Sequence, residues 1–485
     1  MNPILHHARD LTRRTLLGRS AAGLGATGLG AAGLGGVSVG NTALRALLSD
    51  PTGCHHAPKA KRIIFLQQNG APSHVDLFDD KPELRKRHGQ QIPDSIVGGR
   101  RFSTMTGGQN KRPCLGAIQP LKPRGQSGAT VSDLLPYTAA IADDLCFIKS
   151  MHTTQVNHAP AITFLMTGSE RPGRPSMGAW LSYGLGRSCD DLPTFVAMTS
   201  RDKEASCGQI FYDYYWGSGF LPSVHQGVKF RGSGDPVLYL ENPPGIDAEL
   251  RRKMLDDLAA LNQQHAERVH DPEIETRIAQ YEMAYQMQTS VPELTDFSDE
   301  PAHVLAMYGP DVHRKGSYAY NCLMARRLIE RGTRFVQLMH AGWDQHRNLY
   351  TQLEVQCRDT DAPSAALVLD LQQRGLLDDT LVIWAGEFGR TPFLQGAIDK
   401  GMKGRDHHPY AFTVWMAGGG TKPGCYGATD EFGFSVIENP VTPHDLQATV
   451  LHLMGLDHER LTYRFQGRRY RLTDVHGRLV NAVMA

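Results

Sequence analysis

The chain has 485 residues, 41% apolar and 21% charged, a composition that excludes a disordered or fibrous polymer and provides for a large folded core. Fifty-one Lys and Arg against 50 Asp and Glu leave a formal net charge of +1, so no overall field draws the chain to nucleic acid or to an anionic membrane. No run of about 20 uncharged apolar residues follows residue 50, which excludes a stable transmembrane helix from the mature chain.

Residues 1–50 read as an address. Thr12-Arg13-Arg14-Thr15-Leu16-Leu17 precedes a mildly apolar tract of Ala, Gly and Leu, the pattern of a twin-arginine export signal. The many glycines, each costing a helix about 1 kcal/mol relative to alanine, weaken the tract as a free-standing membrane helix. The twin-arginine export machinery is therefore an expected partner, and the expected location is periplasmic or extracellular. Residues 51–60 form a linker, and 61–485 are expected to form a single domain. The eight cysteines show no Cys-x-x-Cys pair and no haem or iron–sulfur spacing, so they are expected to be mostly buried thiols.

Residues 62–66 are a short apolar run closing on Gln67-Gln68-Asn69-Gly70, the pattern of a buried strand that ends in a polar turn. Residues 80–132, rich in Gly, Arg, Lys and Pro and without periodicity, predict a long irregular excursion. Helices over 133–141 and 161–166 flank a strand at 145–148. Residues 246–290 predict one or two amphipathic helices, interrupted near Pro272, as an outer insertion. A regular series follows: helix 318–331, strand 334–339, helix 362–375, strand 380–385 and strand 411–416. Helix alternating with apolar strand predicts an α/β fold with a mostly parallel sheet covered on both faces, and such sheets place sites outside the carboxyl ends of their strands.

Candidate metal ligands stand at successive strand ends. Asn69, His74 and Asp76 follow the first strand; His340, Asp344 and His346 follow 334–339; Glu387 and Arg390 follow 380–385; Asp406, His407 and His408 precede 411–416. A lone loop His or Asp is more often a turn or capping residue than a ligand, and the recurrence is what points to a site. Mixed carboxylate and imidazole ligands suit borderline or hard divalent ions, which polarise phosphoryl or sulfuryl oxygens. Arg390 has two readings, a bridge to Glu387 or a planar fork presented to a tetrahedral anion.

Four segments carry a resemblance: Gly70-Ala71-Pro72-Ser73-His74-Val75-Asp76-Leu77-Phe78-Asp79, Gly342-Trp343-Asp344-Gln345-His346, Gly386-Glu387-Phe388-Gly389-Arg390-Thr391-Pro392 and Asp406-His407-His408-Pro409. Together they resemble an exported twin-arginine family known as a domain of unknown function (DUF1501), a sulfatase-like branch of the alkaline phosphatase superfamily. The resemblance implies an alkaline phosphatase-like three-layer sandwich with helices on both faces of the sheet. It implies Asp344, His346, Glu387 and His407 or His408 as ligands of a divalent ion, with Asn69 near a superfamily Asp. The ion is left open among zinc, manganese, magnesium, calcium and iron.

His158-Ala159-Pro160-Ala161-Ile162, with Thr167-Gly168 after it, is similar to the sulfatase nucleophile segment. His158 stands where a formylglycine precursor would be, so no formylglycine forms. Asn157 and His158 are expected to face the substrate, His158 as nucleophile, general base or further ligand, or else as a cap of the following helix. The function implied is an exported metal-dependent hydrolase of phosphate or sulfate esters, acting on an anionic ester or polysaccharide. The absence of a Ser, Thr or Cys nucleophile and of the usual Asp-His pair motivates the alternative, a noncatalytic exported scaffold that binds polysaccharide or a partner protein.

Overall fold

Successive residues of a strand face opposite sides of a sheet, and the apolar runs of this chain use both sides. Ile64 and Leu66 join Val336, Leu338, Val382 and Trp384 in one buried layer, while Ile63 and Phe65 join Phe335, Met339, Leu381 and Ile383 in another. The computed structural model describes residues 53–201, 210–237, 241–269, 272–396 and 403–485. The export signal expected at 1–50 lies outside the described residues.

The main strands are β1 (Arg62–Asn69), β2 (Cys146–Met151), β3 (Phe195–Arg201), β4 (Val228–Phe230), β5 (Phe335–Ala341), β6 (Thr380–Ala385), β7 (Phe412–Ala417) and β8 (Gly424–Tyr426). They form one sheet in the order β8-β2-β7-β6-β1-β5-β3-β4. Only β7 runs against its neighbours β6 and β2; the other pairings are parallel. The carboxyl ends of β1, β2, β5 and β6 and the amino end of β7 therefore share one edge of the sheet. This explains why the polar cluster precedes 411–416 but follows the other strands.

The principal helices are α1 (His158–Thr167), α2 (Met177–Leu185), α3 (Ala248–Val269), α4 (Pro272–Thr295), α5 (Tyr318–Glu330), α6 (Leu349–Gln373) and α7 (Pro443–Leu453). Leu323 and Leu328 of α5 and Leu367 and Leu371 of α6 cover one face of the sheet. Ile162 and Leu165 of α1, Trp180 and Leu181 of α2, and Val450 and Leu451 of α7 cover the other. The result is a three-layer α/β sandwich with a mostly parallel central sheet. Among the described residues no helix is long and apolar enough to cross a membrane.

Two predicted boundaries move for physical reasons. α1 starts at His158 instead of residue 161, because Pro160 sits in the first turn, where its missing N–H costs nothing. α6 starts well before residue 362 and runs through Pro363, carried by the buried side chains of Leu353, Cys357, Thr360 and Leu367. The predicted helix over 133–141 shrinks to Pro136–Ala140. The excursion at 80–132 holds the short helices Pro82–Lys86 and Asp94–Val97 and the hairpin Leu121–Arg124 with Ala129–Ser132. Of the described cysteines, Cys114, Cys146, Cys322 and Cys357 are buried, and Cys207 lies outside the described residues.

His74 and His408 stack at 6.2 Å and 12° and are both buried. Their Nε2–H groups donate to the carbonyls of Gly433 (2.8 Å) and Phe434 (2.5 Å). Burial, with the neighbouring His74 next, pushes His408 down to about 3, and burial also lowers His74. The unfolded chain therefore binds more protons than the folded one below about pH 6.5, and stability is lost as pH falls from there toward 3. For His408 the full loss is roughly 5 kcal/mol. Thermal midpoints across this range should fall on acidification, with a shallower slope in His408→Gln; identical slopes would refute the assignment.

Candidate metal centre

Asp344 and His346 lie in the loop that leaves β5, and His158 is the first residue of α1. His407 lies in a two-residue antiparallel ladder, His407–His408 against Gly389–Arg390, that leads into β7. The shared sheet edge brings all four together, and one ligand atom from each lies within 4.8 Å of the others. Gly70, at the end of β1, has φ +108°, and a Cβ there would sit 2.6 Å from the Asp344 nitrogen. Only glycine lets this turn press against the Asp344 loop.

Asp344 Oδ1 is the hub. It lies 2.8 Å from His346 Nε2, 3.2 Å from His158 Nε2, 3.2 Å from His407 Nε2 and 2.5 Å from Arg390 Nη2. The far nitrogen of each imidazole meets an acceptor. His158 Nδ1–H donates to Glu387 Oε1 (2.5 Å), His346 Nδ1–H to Gln395 Oε1 (2.6 Å), and His407 Nδ1–H to the Val156 carbonyl (2.6 Å). A carbonyl cannot donate, so His407 carries its proton on Nδ1 and turns a bare Nε2 toward the centre. Such outer acceptors fix the tautomer and orientation of metal-binding histidines.

His346 Nε2 and His407 Nε2 are 2.9 Å apart. With both Nδ1 atoms protonated, two lone pairs face each other across that gap. The contact is favourable only when a proton, which would make one ring an imidazolium, or a metal cation stands between or beside the two nitrogens.

The charges agree with this geometry. Burial alone would raise the Asp344 carboxyl, but the Arg390 guanidinium, the strongest opposing influence, holds it far below the usual carboxylate range. Burial is the main cause that brings His407 down to about 4, keeping it neutral and able to donate a lone pair. Burial also opposes the charged form of His158, yet the Asp344 and Glu387 carboxylates beside it outweigh that and raise it, so an ion would have to displace a proton from its Nε2.

The other expected site residues fall elsewhere. Glu387 lies outside the four-donor group: its Oε1 accepts from His158 and from the Gly70 N–H (3.0 Å), and its Oε2 is buried without a hydrogen-bond partner. His408 is turned away onto the Phe434 carbonyl, because neighbouring strand residues face opposite sides. Asn69 is fully buried, and neither side-chain polar atom has a hydrogen-bond partner. Asn157 is the exposed N-cap of α1, and its side chain makes no capping bond.

Arg390 follows neither expected reading. Fully buried, it pairs with Asp344 instead of Glu387 and faces backbone carbonyls instead of a substrate anion. Asp76 is taken by Arg405, and His74 by Gly433. Sequence reasoning missed Gln395 and Val156, which sit outside the recurring His and Asp motifs.

The residues fit a divalent ion: three imidazole nitrogens and a carboxylate oxygen converge, each ring anchored from outside, beside the orphaned Oε2 of Glu387. Three imidazoles with one carboxylate suit zinc, manganese or iron better than magnesium or calcium, which prefer all-oxygen shells.

No curated protein matches the chain. Among solved structures it is similar to the lipoteichoic acid synthase LtaP from Listeria monocytogenes at 11% identity and a TM-score of 0.36, covering 84% of this chain and 75% of that one. It is also similar to the PsFucS1 sulfatase from Pseudoalteromonas sp. at 13% identity and a TM-score of 0.34, with 86% and 71% covered. A third likeness is to a protein of the alkaline phosphatase superfamily from Vibrio parahaemolyticus at 10% identity and a TM-score of 0.34, with 84% and 69% covered. Residues 60–484 match the family described as "Protein of unknown function (DUF1501)", and the chain belongs to that family.

Proposed function

We propose that this protein is an exported metal-dependent hydrolase of phosphate or sulfate esters, with His158, Asp344, His346 and His407 holding one ion of the zinc, manganese or iron class. The observation that carries the reading is the 2.9 Å approach of His346 Nε2 to His407 Nε2, two nitrogens whose rings are anchored through their Nδ1 atoms. A bound divalent ion supplies Lewis acidity toward a phosphoryl or sulfuryl oxygen. The chain's own contribution is the setting. The ten-residue α1 begins at His158, so its first free N–H groups and dipole favour an anionic group beside the donor cluster. Asn157 carries an exposed amide at that same helix end. Arg390 keeps Asp344 ionised, and Glu387 orients the His158 ring.

Elemental analysis of the exported protein should find close to one equivalent of a transition metal per chain. Asp344→Ala and His346→Ala should lose it, whereas Glu387→Gln, which keeps an acceptor for His158, should retain most of it. The loaded protein should hydrolyse at least one of p-nitrophenyl phosphate, bis(p-nitrophenyl) phosphate and p-nitrophenyl sulfate, and the two metal-free variants should not. A folded, metal-free native protein would overturn the reading, and a loaded protein inert toward all three esters would favour the noncatalytic scaffold.

A further inference from the structure

Gln395 lies outside every motif that marks the centre, yet its side chain is one of the three outer acceptors. Its Oε1 is 2.6 Å from His346 Nδ1, and its Nε2 is 3.6 Å from the thioether sulfur of Met105. A thioether accepts but cannot donate. The amide is therefore oriented with Nε2 toward Met105 and Oε1 toward the imidazole, which must present a proton on Nδ1. The lone pair of His346 Nε2 then faces Asp344 and His407.

The backbone on both sides of Gln395 is clamped. Its own N–H donates to the Gly404 carbonyl (3.0 Å). The Gln109 side chain, from the irregular excursion, donates to the Leu394 carbonyl (3.0 Å) and accepts from the Gly396 N–H (3.0 Å). A second tie from the same excursion reaches the other strand of the centre. Thr106 Oγ1 donates to Asp406 Oδ2 (2.6 Å), as does Ser103 Oγ, while Asp406 Oδ1 accepts from the His407 N–H (2.8 Å). The excursion thus supports the positions of two of the three imidazoles.

We propose that Gln395 is a positioning residue for the metal centre: through its Oε1 it fixes the tautomer and rotation of His346, and Gln109 holds it in place. The proposal rests on the reading of the four donors as a metal site. In that role Gln395 touches neither ion nor substrate, and its loss weakens affinity by about 10- to 100-fold, the range found for outer partners of metal-binding histidines.

The test uses the full chain, stripped and reloaded with zinc, with affinity measured by competition against a chromophoric chelator. Gln395→Ala should bind zinc about 10- to 100-fold more weakly, and Gln395→Glu, which keeps an acceptor at the same reach, should bind close to the native affinity. Nitrogen-15 NMR of the histidines in the stripped protein adds a readout independent of metal. His346 should be the Nδ1–H tautomer in the native chain and in Gln395→Glu, and a mixture in Gln395→Ala. Native zinc affinity in Gln395→Ala, or equal losses in the Ala and Glu variants, would overturn the proposal while leaving the metal site intact. A native chain that binds no zinc would remove the site and this role together.

Discussion

Arg390→Ala is expected to cost about 3–5 kcal/mol of folding stability and to abolish metal retention with it, the range for stripping one partner from a buried ion pair. The side chain is fully buried. Its Nη2 lies 2.5 Å from Asp344 Oδ1, and its guanidinium donates to the carbonyls of Ala71 (3.0 Å), Arg405 (3.2 Å) and Gly70. Truncation removes the guanidinium that offsets the Asp344 charge and leaves several carbonyls without that donor in a dry interior, each a separate desolvation cost. Arg390→Lys returns the charge but not the planar fork, so it should recover only part of the loss. Denaturant unfolding of both variants, with metal content on the same samples, reads the effect. An Ala variant as stable as the native chain would show that Asp344 does not depend on this partner.

A loss of the same size is expected for Asp76→Ala, about 3–5 kcal/mol. Arg405 and Asp76 are both fully buried and meet through two bonds, Nε to Oδ2 at 2.7 Å and Nη2 to Oδ1 at 3.0 Å. Arg405 also donates to the carbonyls of Thr391 (3.0 Å) and Leu115 (2.9 Å), and Asp76 accepts from Ser73 Oγ (2.5 Å) and the Ile118 N–H (3.2 Å). The pair ties the turn after β1 to the segment that delivers His407. Replacing both partners, as in Asp76→Leu with Arg405→Met, removes the uncompensated charge, so the double variant should be more stable than the sum of the two single losses implies. Strict additivity in unfolding free energies would count against a direct pair.

These two arginines show what could and could not be read in the sequence. The strands were legible because their apolar runs are long, bounded by turn residues, and buried on both faces, as at 380–385. The cluster was legible because donors recur at strand ends, and Asp344, His346, His407 and His158 do meet there. The division of labour among those residues was not legible. Glu387 and Asp344 are both carboxylates after strands, and only the fold makes one a hub and the other an anchor. His407 and His408 are neighbours whose separate fates follow from strand alternation. The Asp of the Gly-x-x-Ser-x-x-Asp opening resembled a ligand until Arg405, over 300 residues away, claimed it. Acceptors such as the Val156 carbonyl leave no mark on the sequence at all, since any residue supplies one.

The reversed course of β7 has a further consequence for how the chain matures. Val156 and His407, which meet at the centre, are 251 residues apart in sequence, and the latter arrives only once β7 has docked antiparallel between β2 and β6. Asp344 and His346 are local to one another, but two ligands make a weak chelate. The complete four-donor set therefore exists only when this long-range strand is in place, so a bound ion would report that β7 has paired.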